Sequence, residues 1–422
     1  MYDVFSLKDF TFPAGFLWGS ATAGHQIEGD NCNAQWYKHE LDPDFHGVPS
    51  GKACNHYELF REDARMVAEL GHQAYRMSIE WSRIEPECGV WNEEAWRHYE
   101  EELLLYRQLG IKTFVTLTHF TWPQWFEELG GVTKKENAHY FLRFAEKAVT
   151  RYKDLVDFWL ILNEKTHTLS TDGLNFIRLH GLAYRLIKTL TDTPVSSAHM
   201  ALQYWPSRYY DELDRTMAAY RDFQTNGVFL HAIRTGELIS PMMDGDFCPE
   251  VKGAVDFWAL NLYTRDIVDS RKASLRGERF PHKKLQMLDI PFYLEEMFPE
   301  GCTAMLERFA DRPVYLTENG CCCNDDRFRI VYEALYLSAL HDAIRRGVDL
   351  RGYLYWSLMD NYEWTSFKPR FGLVDVDFKT FRRTPKPSAF FFKEIIEHNG
   401  FSQEILRRYL KELPTLADTR QP

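Results

Sequence analysis

The sequence is short of positive charge, of paired cysteines and of long apolar runs, and each shortage removes a class of function. Its 422 residues carry 50 Lys and Arg against 61 Asp and Glu, a net charge of −11. Nucleic acid and anionic membrane surfaces are bound by clustered Lys and Arg, so neither partner is expected. No apolar stretch approaches the roughly 20 residues that cross a bilayer. The opening MYDVFSLKDFTF lacks the basic region and apolar core of a secretory signal. Eight cysteines (Cys32, Cys54, Cys88, Cys248, Cys302 and Cys321–Cys323) form no CxxC pair. Free thiols in a reducing cytoplasm are the simplest reading. No GxGxxG follows an apolar run, and His39-Glu40 is not continued to the HExxH of a zinc protease. No Pro/Gly/Ser linker or low-complexity stretch divides the chain, so residues 1–422 are read as one domain.

What the sequence does have is aromatic: 15% of residues, with 12 Trp. Core packing absorbs most of these, and flat indole faces also suit a site that stacks apolar surfaces. Short apolar runs alternate with longer amphipathic ones. FLWGSATAGHQIEG, QAYRMSIEW (73–81), IKTFVTLTHF (111–120), VDFWLILNE (156–164), VSSAHMALQYW, VDFWALNLY (255–263), RPVYLTENG (312–320) and LRGYLYWSL (350–358) read as eight buried strands. Between them, Tyr57, Phe60, Ala64, Val67 and Leu70 share one helical face, as do Ile330, Ala334, Leu337, Leu340 and Ile344. Gly71, Gly110 and Gly347 stand where helices should end. VDFW occurs twice, at 156–159 and 255–258, a weak sign of a repeated unit. Eight alternating units favour a closed (β/α)8 TIM barrel over an open doubly wound sheet.

In such a barrel, functional groups lie at the C-terminal ends of strands. Those ends read Gln26 and Glu28, Glu80 and Arg83, His119, Asn163 and Glu164, Asn261 and Tyr263, Glu318 and Asn319, and Trp356, Asp360 and Asn361. Glu164 and Glu318 each close an almost wholly apolar run. A carboxylate there costs desolvation unless it is paired or used. Salt bridges in the barrel mouth are one explanation. The other is two carboxyls facing one site, one protonated to donate and one ionised to attack or to activate water, as glycoside cleavage requires.

The motifs FPAGFLWGSATAGHQIEG, YRMSIEWSRIEP, THFTWPQWFEELGG, LILNE, NLYTR, YLTENG, GYLYWSLMDNYEWTSFKPRFGLVDVDF and RTPKPSA occur in order along nearly the whole chain. In them the sequence resembles glycoside hydrolase family one, the β-glucosidase family. The resemblance implies a retaining exo-β-glycosidase acting on small β-glycosides, without a cofactor or metal. A β-glucosidase with β-galactosidase or β-fucosidase activity is the leading expectation. A transglycosylating relative using alcohol or sugar acceptors, and a non-catalytic sugar-binding barrel, are the alternatives. Glu318 would be the nucleophile and Glu164 the acid and then the base, their carboxyls about 5–5.5 Å apart. Arg76 and Tyr263 would hold the nucleophile. Gln26, His119, Asn163, Asn261, Glu363, Trp364 and Phe371 would contact substrate, and Trp356 would supply a stacking floor. Glu318 is expected to have a lowered pKa, from Arg76, and Glu164 a raised one, from its neighbouring carboxylate. Glu164 disfavours the glucosinolate-cleaving variants, which have Gln there. Glu363 disfavours 6-phosphoglycosides, although Lys368 lies close by.

Three departures stand out. Lys165 follows Glu164 where the family usually has Pro; its ammonium is expected to point to solvent and be screened, the alternative being that it points toward Glu164 and lowers that acid's pKa. Phe120 replaces a common Trp. The chain after NEKTHTLSTDG is shortened, which should widen the leaving-group side. The triplet Cys321–Cys323 is a poor metal site, because successive side chains of an extended segment face opposite ways. The three thiols are read as structural or incidental, the alternative being a modulatory role in which their alkylation or oxidation, close to Glu318, blocks the site.

Overall fold

The computed structural model describes residues 3–241, 243–272 and 296–415. The expected single domain, 1–422, therefore includes segments outside the described residues. Eight parallel strands close into a barrel: β1 (Leu17–Ala21), β2 (Ala74–Ser78), β3 (Lys112–Thr118), β4 (Phe158–Asn163), β5 (Val195–Met200), β6 (Trp258–Asn261), β7 (Val314–Asn319) and β8 (Leu350–Trp356). Each pairs with its neighbours in sequence, and β8 closes on β1 through Gly352 opposite Leu17 and Trp356 opposite Ala21. All eight lie within the runs read as strands, because a strand covered on both faces must be apolar along its length.

Helices cover the outside: α1 (His56–Glu69), α2 (Glu93–Gln108), α3 (Ala138–Tyr152), α4 (Gly173–Leu190), α5 (Val228–Thr235), α6 (Pro299–Arg308), α7 (Asp326–Arg345) and α8 (Pro387–His398). Phe60, Ala64 and Val67 of α1 and Ile330, Ala334, Leu337 and Leu340 of α7 are buried as their spacing predicts. Tyr57 and Ile344 are only half-buried at the edges of those faces. Gly71, Gly110 and Gly347 have φ of 75°, 73° and 100°, the left-handed turn that ends α1, α2 and α7.

The VDFW repeat has a physical basis. Asp157 accepts a bond from the Thr113 amide (3.0 Å) at the start of β3, and Asp256 from the Val195 amide (2.9 Å) at the start of β5. Each aspartate thus fastens its strand to the preceding one, while Trp159 and Trp258 are buried outside the barrel among the helices. Inside, Phe114, Phe158, Phe257 and Tyr315 fill the barrel, with Phe114 and Phe158 stacked at 4.1 Å.

The run VSSAHMALQYW is not one strand. It breaks after Met200, and Gln203–Pro206 leaves the barrel to pair with Arg265–Val268 in a separate two-stranded sheet. Among the described residues no helix is long and apolar enough to cross a membrane.

Candidate active site

The strand ends bring the expected residues into one hydrogen-bonded set. Arg76, fully buried on β2, donates Nη1 to Glu318 Oε1 (2.5 Å) and Nη2 to Asn163 Oδ1 (2.6 Å). Its Nε bonds Thr116 Oγ1 of β3 at 3.2 Å. Tyr263, two residues past β6, donates its hydroxyl to Glu318 Oε2 (2.7 Å). Both oxygens of Glu318 are therefore held, one from within β2 and one from the extension of β6. Asn261 ties the two carboxyls together. Its Nδ2 donates to Glu164 Oε1 (2.9 Å), while its Oδ1 accepts from Thr317 (2.8 Å) and, at 3.4 Å, from Arg76. Among the described residues Glu164 has only that one side-chain donor, and it remains half-buried, whereas Glu318 is 4% exposed.

Backbone geometry marks the same place. Glu164, Phe120 and Trp364 have φ of 51°, 66° and 60°, a region that non-glycine residues seldom occupy and that clusters at functional sites. Gly320 is required by close approach: a Cβ there would lie 1.8 Å from the Trp356 carbonyl of β8. The glycine of TENG lets the strand that carries Glu318 end against Trp356.

Burial raises Glu164 to about 7, with the Glu318 charge adding and Asn261, Arg76 and Lys165 opposing. The raised value was expected, but burial outweighs the neighbouring carboxylate as its cause. Glu318 corrects the sequence reading. Burial raises it above the ordinary carboxylate value despite Arg76, Tyr263 and Asn261, which pull it down. The desolvation of a carboxylate at the bottom of the mouth was left out of that expectation. Burial, reinforced by the Glu318 charge, lifts Tyr263 well above the usual phenol value, so it stays a donor. His119 is held well below the usual imidazole value by burial and then by Arg76, so it is neutral.

His119 Nε2 faces Asn163 Nδ2 at 3.1 Å. The amide must donate, since Asn163 Oδ1 already accepts from Arg76 and Asn261. That places the imidazole proton on Nδ1, which is buried without an acceptor among the described residues. Gln26 follows β1 in a short helix, Gly24–Ile27, and donates Nε2 to Asn361 (3.0 Å) and to the Tyr362 carbonyl (2.8 Å). Its Oε1 is likewise buried without a donor. Trp356 Nε1 donates to Glu363 at 3.2 Å, and the His119 ring lies nearly parallel to those of Trp356 and Trp364, at 5.8 and 6.2 Å. Phe371 packs edge-on to Tyr263 at 6.4 Å. All twelve expected residues therefore meet at one end of the barrel.

Thr116 and Thr317 were not anticipated. Only their place one pleat or one residue from Arg76's partners gave a signal, as β-branched hydroxyls inside buried strands. Lys165 does not simply point to solvent: its ammonium lies 5.5 Å from the Phe120 ring and 5.6 Å from the Phe176 ring, and its charge is felt by Glu164. The connection from β4 to α4 spans 164–172. The three cysteines are buried on alternating sides, Cys321 and Cys323 among the outer helices and Cys322 inside the barrel with Trp356 and Phe371. Buried this way, they are closed to the reagents that the sequence reading allowed to reach them.

The profile described as Glycosyl hydrolase family 1 matches residues 8–177 and 175–401. The chain belongs to that family. It is 32% identical to a β-glucosidase from Agrobacterium sp. over 90% of this chain and 94% of that one. It is 28% identical to β-glucosidase A from Thermotoga maritima over 92% and 98%. Among solved structures, a β-glycosidase from Pyrococcus horikoshii superposes with a TM-score of 0.84 at 34% identity, over 95% of this chain and 98% of that one. A family 1 β-glucosidase from Thermotoga maritima gives 0.85 at 27% identity, over 93% and 99%. The protein is a glycoside hydrolase of family 1 and acts on small β-glycosides. Retention through two glutamates is general to that family.

Proposed function

We propose that Glu318 is the nucleophile and Glu164 the acid and then base of a β-glucosidase that also accepts β-galactosides and β-fucosides. The observation that carries this reading is the unequal holding of the two carboxyls. Glu318 has a donor on each oxygen, Arg76 and Tyr263, which fixes its aim. Glu164 has one donor, an open side and a pKa of about 7, which suits a group that must give up a proton and later recover it.

In the first step C1 forms a bond to a Glu318 oxygen as the C1–O bond breaks, and the Glu164 proton passes to the leaving oxygen. In the second, Glu164 takes a proton from water, whose oxygen attacks C1 and releases Glu318. Once Glu318 is esterified, its charge no longer raises Glu164, and the acid becomes a better base. The His119 Nδ1 proton and the Gln26 Oε1 lone pairs are taken to bind sugar hydroxyls, since buried polar atoms ordinarily have partners. Glu363, Asn163 and Trp364 complete that ring, Trp356 supports the sugar face, and Asn261 and Phe371 shape its walls. Buried, ionisable Glu363 beside exposed Lys368 favours an unphosphorylated sugar. The absence of any disulfide among the described cysteines favours a cytoplasmic setting. We take the whole chain as one catalytic domain. The short 164–172 connection supports a second activity, transfer to alcohols, read as alkyl glucoside formed in an alcohol-containing reaction.

Proton NMR of early products from 4-nitrophenyl β-glucoside tests the reading. β-Glucose should appear before mutarotation; α-glucose appearing first would overturn it. A matched panel of glucoside, galactoside and fucoside ranks the sugars.

A further inference from the structure

Lys165, the residue after Glu164, lines a cavity of about 590 Å³. Trp36, Trp122, Phe120 and Trp364 wall it, and it shares Trp364 with the sugar site. Its polar groups are mostly engaged. Gln35 donates to the Phe120 carbonyl (2.9 Å) and accepts from the Trp122 amide (2.9 Å), while Glu127 accepts from Trp122 Nε1 (2.7 Å). Lys165 is different. Lys165 lines the cavity with its ammonium near the Phe120 and Phe176 rings, and no carboxylate among the described residues pairs with it. A half-buried ammonium with aromatic neighbours and no counter-ion gains from an anion brought to it.

The residue is also adjacent in sequence to Glu164, whose proton goes to the oxygen that joins sugar and leaving group. A leaving group on that oxygen therefore enters the cavity that Lys165 lines. We infer that Lys165 selects aryl β-glycosides whose leaving group carries a carboxylate or a similar anion. The aromatic walls stack the arene, and the ammonium pairs with its acid. Glu127 stands in the same cavity and repels an anion placed beside it, so the acid must sit on the Lys165 side. The inference rests on Glu164 as proton donor.

The test compares 3- and 4-carboxyphenyl β-glucosides with the corresponding carbamoylphenyl β-glucosides on the wild-type enzyme, Lys165→Met and Lys165→Arg. Taking the ratio of kcat/KM between the charged and neutral substrates in each variant removes the intrinsic difference in leaving-group reactivity. Lys165→Met should lower that ratio about fivefold to tenfold, and Lys165→Arg should restore most of it. An unchanged ratio, or equal loss on both substrates, overturns the inference; equal loss would mean that Lys165 acts only through Glu164. Tryptophan fluorescence with 4-hydroxybenzoate and 4-hydroxybenzamide reads the same preference without turnover. A wild-type enzyme that cleaves neither glucoside would refute the catalytic assignment, while binding that favours the acid only when Lys165 is present would still support the charge selection.

Discussion

Glu28 and Glu164 are both raised to about 7, in different surroundings. Glu28, behind Gln26, is raised by burial, with Arg83 opposing. It is enclosed: Arg83 Nε donates at 2.6 Å, and the Tyr99 hydroxyl lies 3.0 and 3.1 Å from its two oxygens. Glu164 is raised by the same cause but keeps an open side and one donor. A perturbed carboxyl alone does not mark chemistry; an incompletely satisfied one facing a cavity does. Glu28 is held on every side, whereas Glu164 has the freedom that the proposed proton donor needs.

The sharpest way to break that contrast is at the partner carboxylate. Glu318→Gln should lower kcat by about 10⁴-fold or more. Glu28→Gln should keep the chemistry and cost stability instead, by about 3–5 kcal/mol in denaturant unfolding, because Arg83 is left with a buried charge. Next in size, Glu164→Gln should cost about 10²–10⁴-fold on glycosides with poor leaving groups, and much less on dinitrophenyl glycosides that need no proton. It should also alter stability against pH. A raised folded pKa favours the folded state fully below about pH 4.5, and that advantage fades as pH rises through about 7. The Glu164→Gln variant should therefore lose less stability than wild type between pH 5 and pH 8.

Tyr263→Phe removes the hydroxyl donor to Glu318 Oε2 and should lower kcat/KM about 10–100-fold, with the carboxyl raised further. The smallest effect is a shift in the basic limb of the pH–kcat/KM profile, expected near pH 7 from Glu164. Lys165→Met should move it upward, since Lys165 holds Glu164 down, and Glu28→Gln should leave it where it is.

How much of this was readable depends on which force decided each feature. The eight strands were legible because buried parallel strands must be apolar throughout, and the site was legible because Glu164 and Glu318 interrupt such runs at their ends. The facing of the cysteine triplet followed from strand pleat alone. What escaped were quantities set by the assembled environment. The rise of Glu318 required knowing how completely Arg76 and Tyr263 seal it from water. The direction of Lys165 required Phe176, which reaches it from α4. The break after Met200 required a partner strand at Arg265–Val268 that competes for Gln203–Pro206.

The central claim is that Glu318 attacks and Glu164 assists. Incubation with 2,4-dinitrophenyl 2-deoxy-2-fluoro-β-glucoside, followed by peptide mapping, tests it most directly. A single 2-fluoroglucosyl ester on Glu318 is the expected result; a label on Glu164, Glu28 or any other residue would contradict the account.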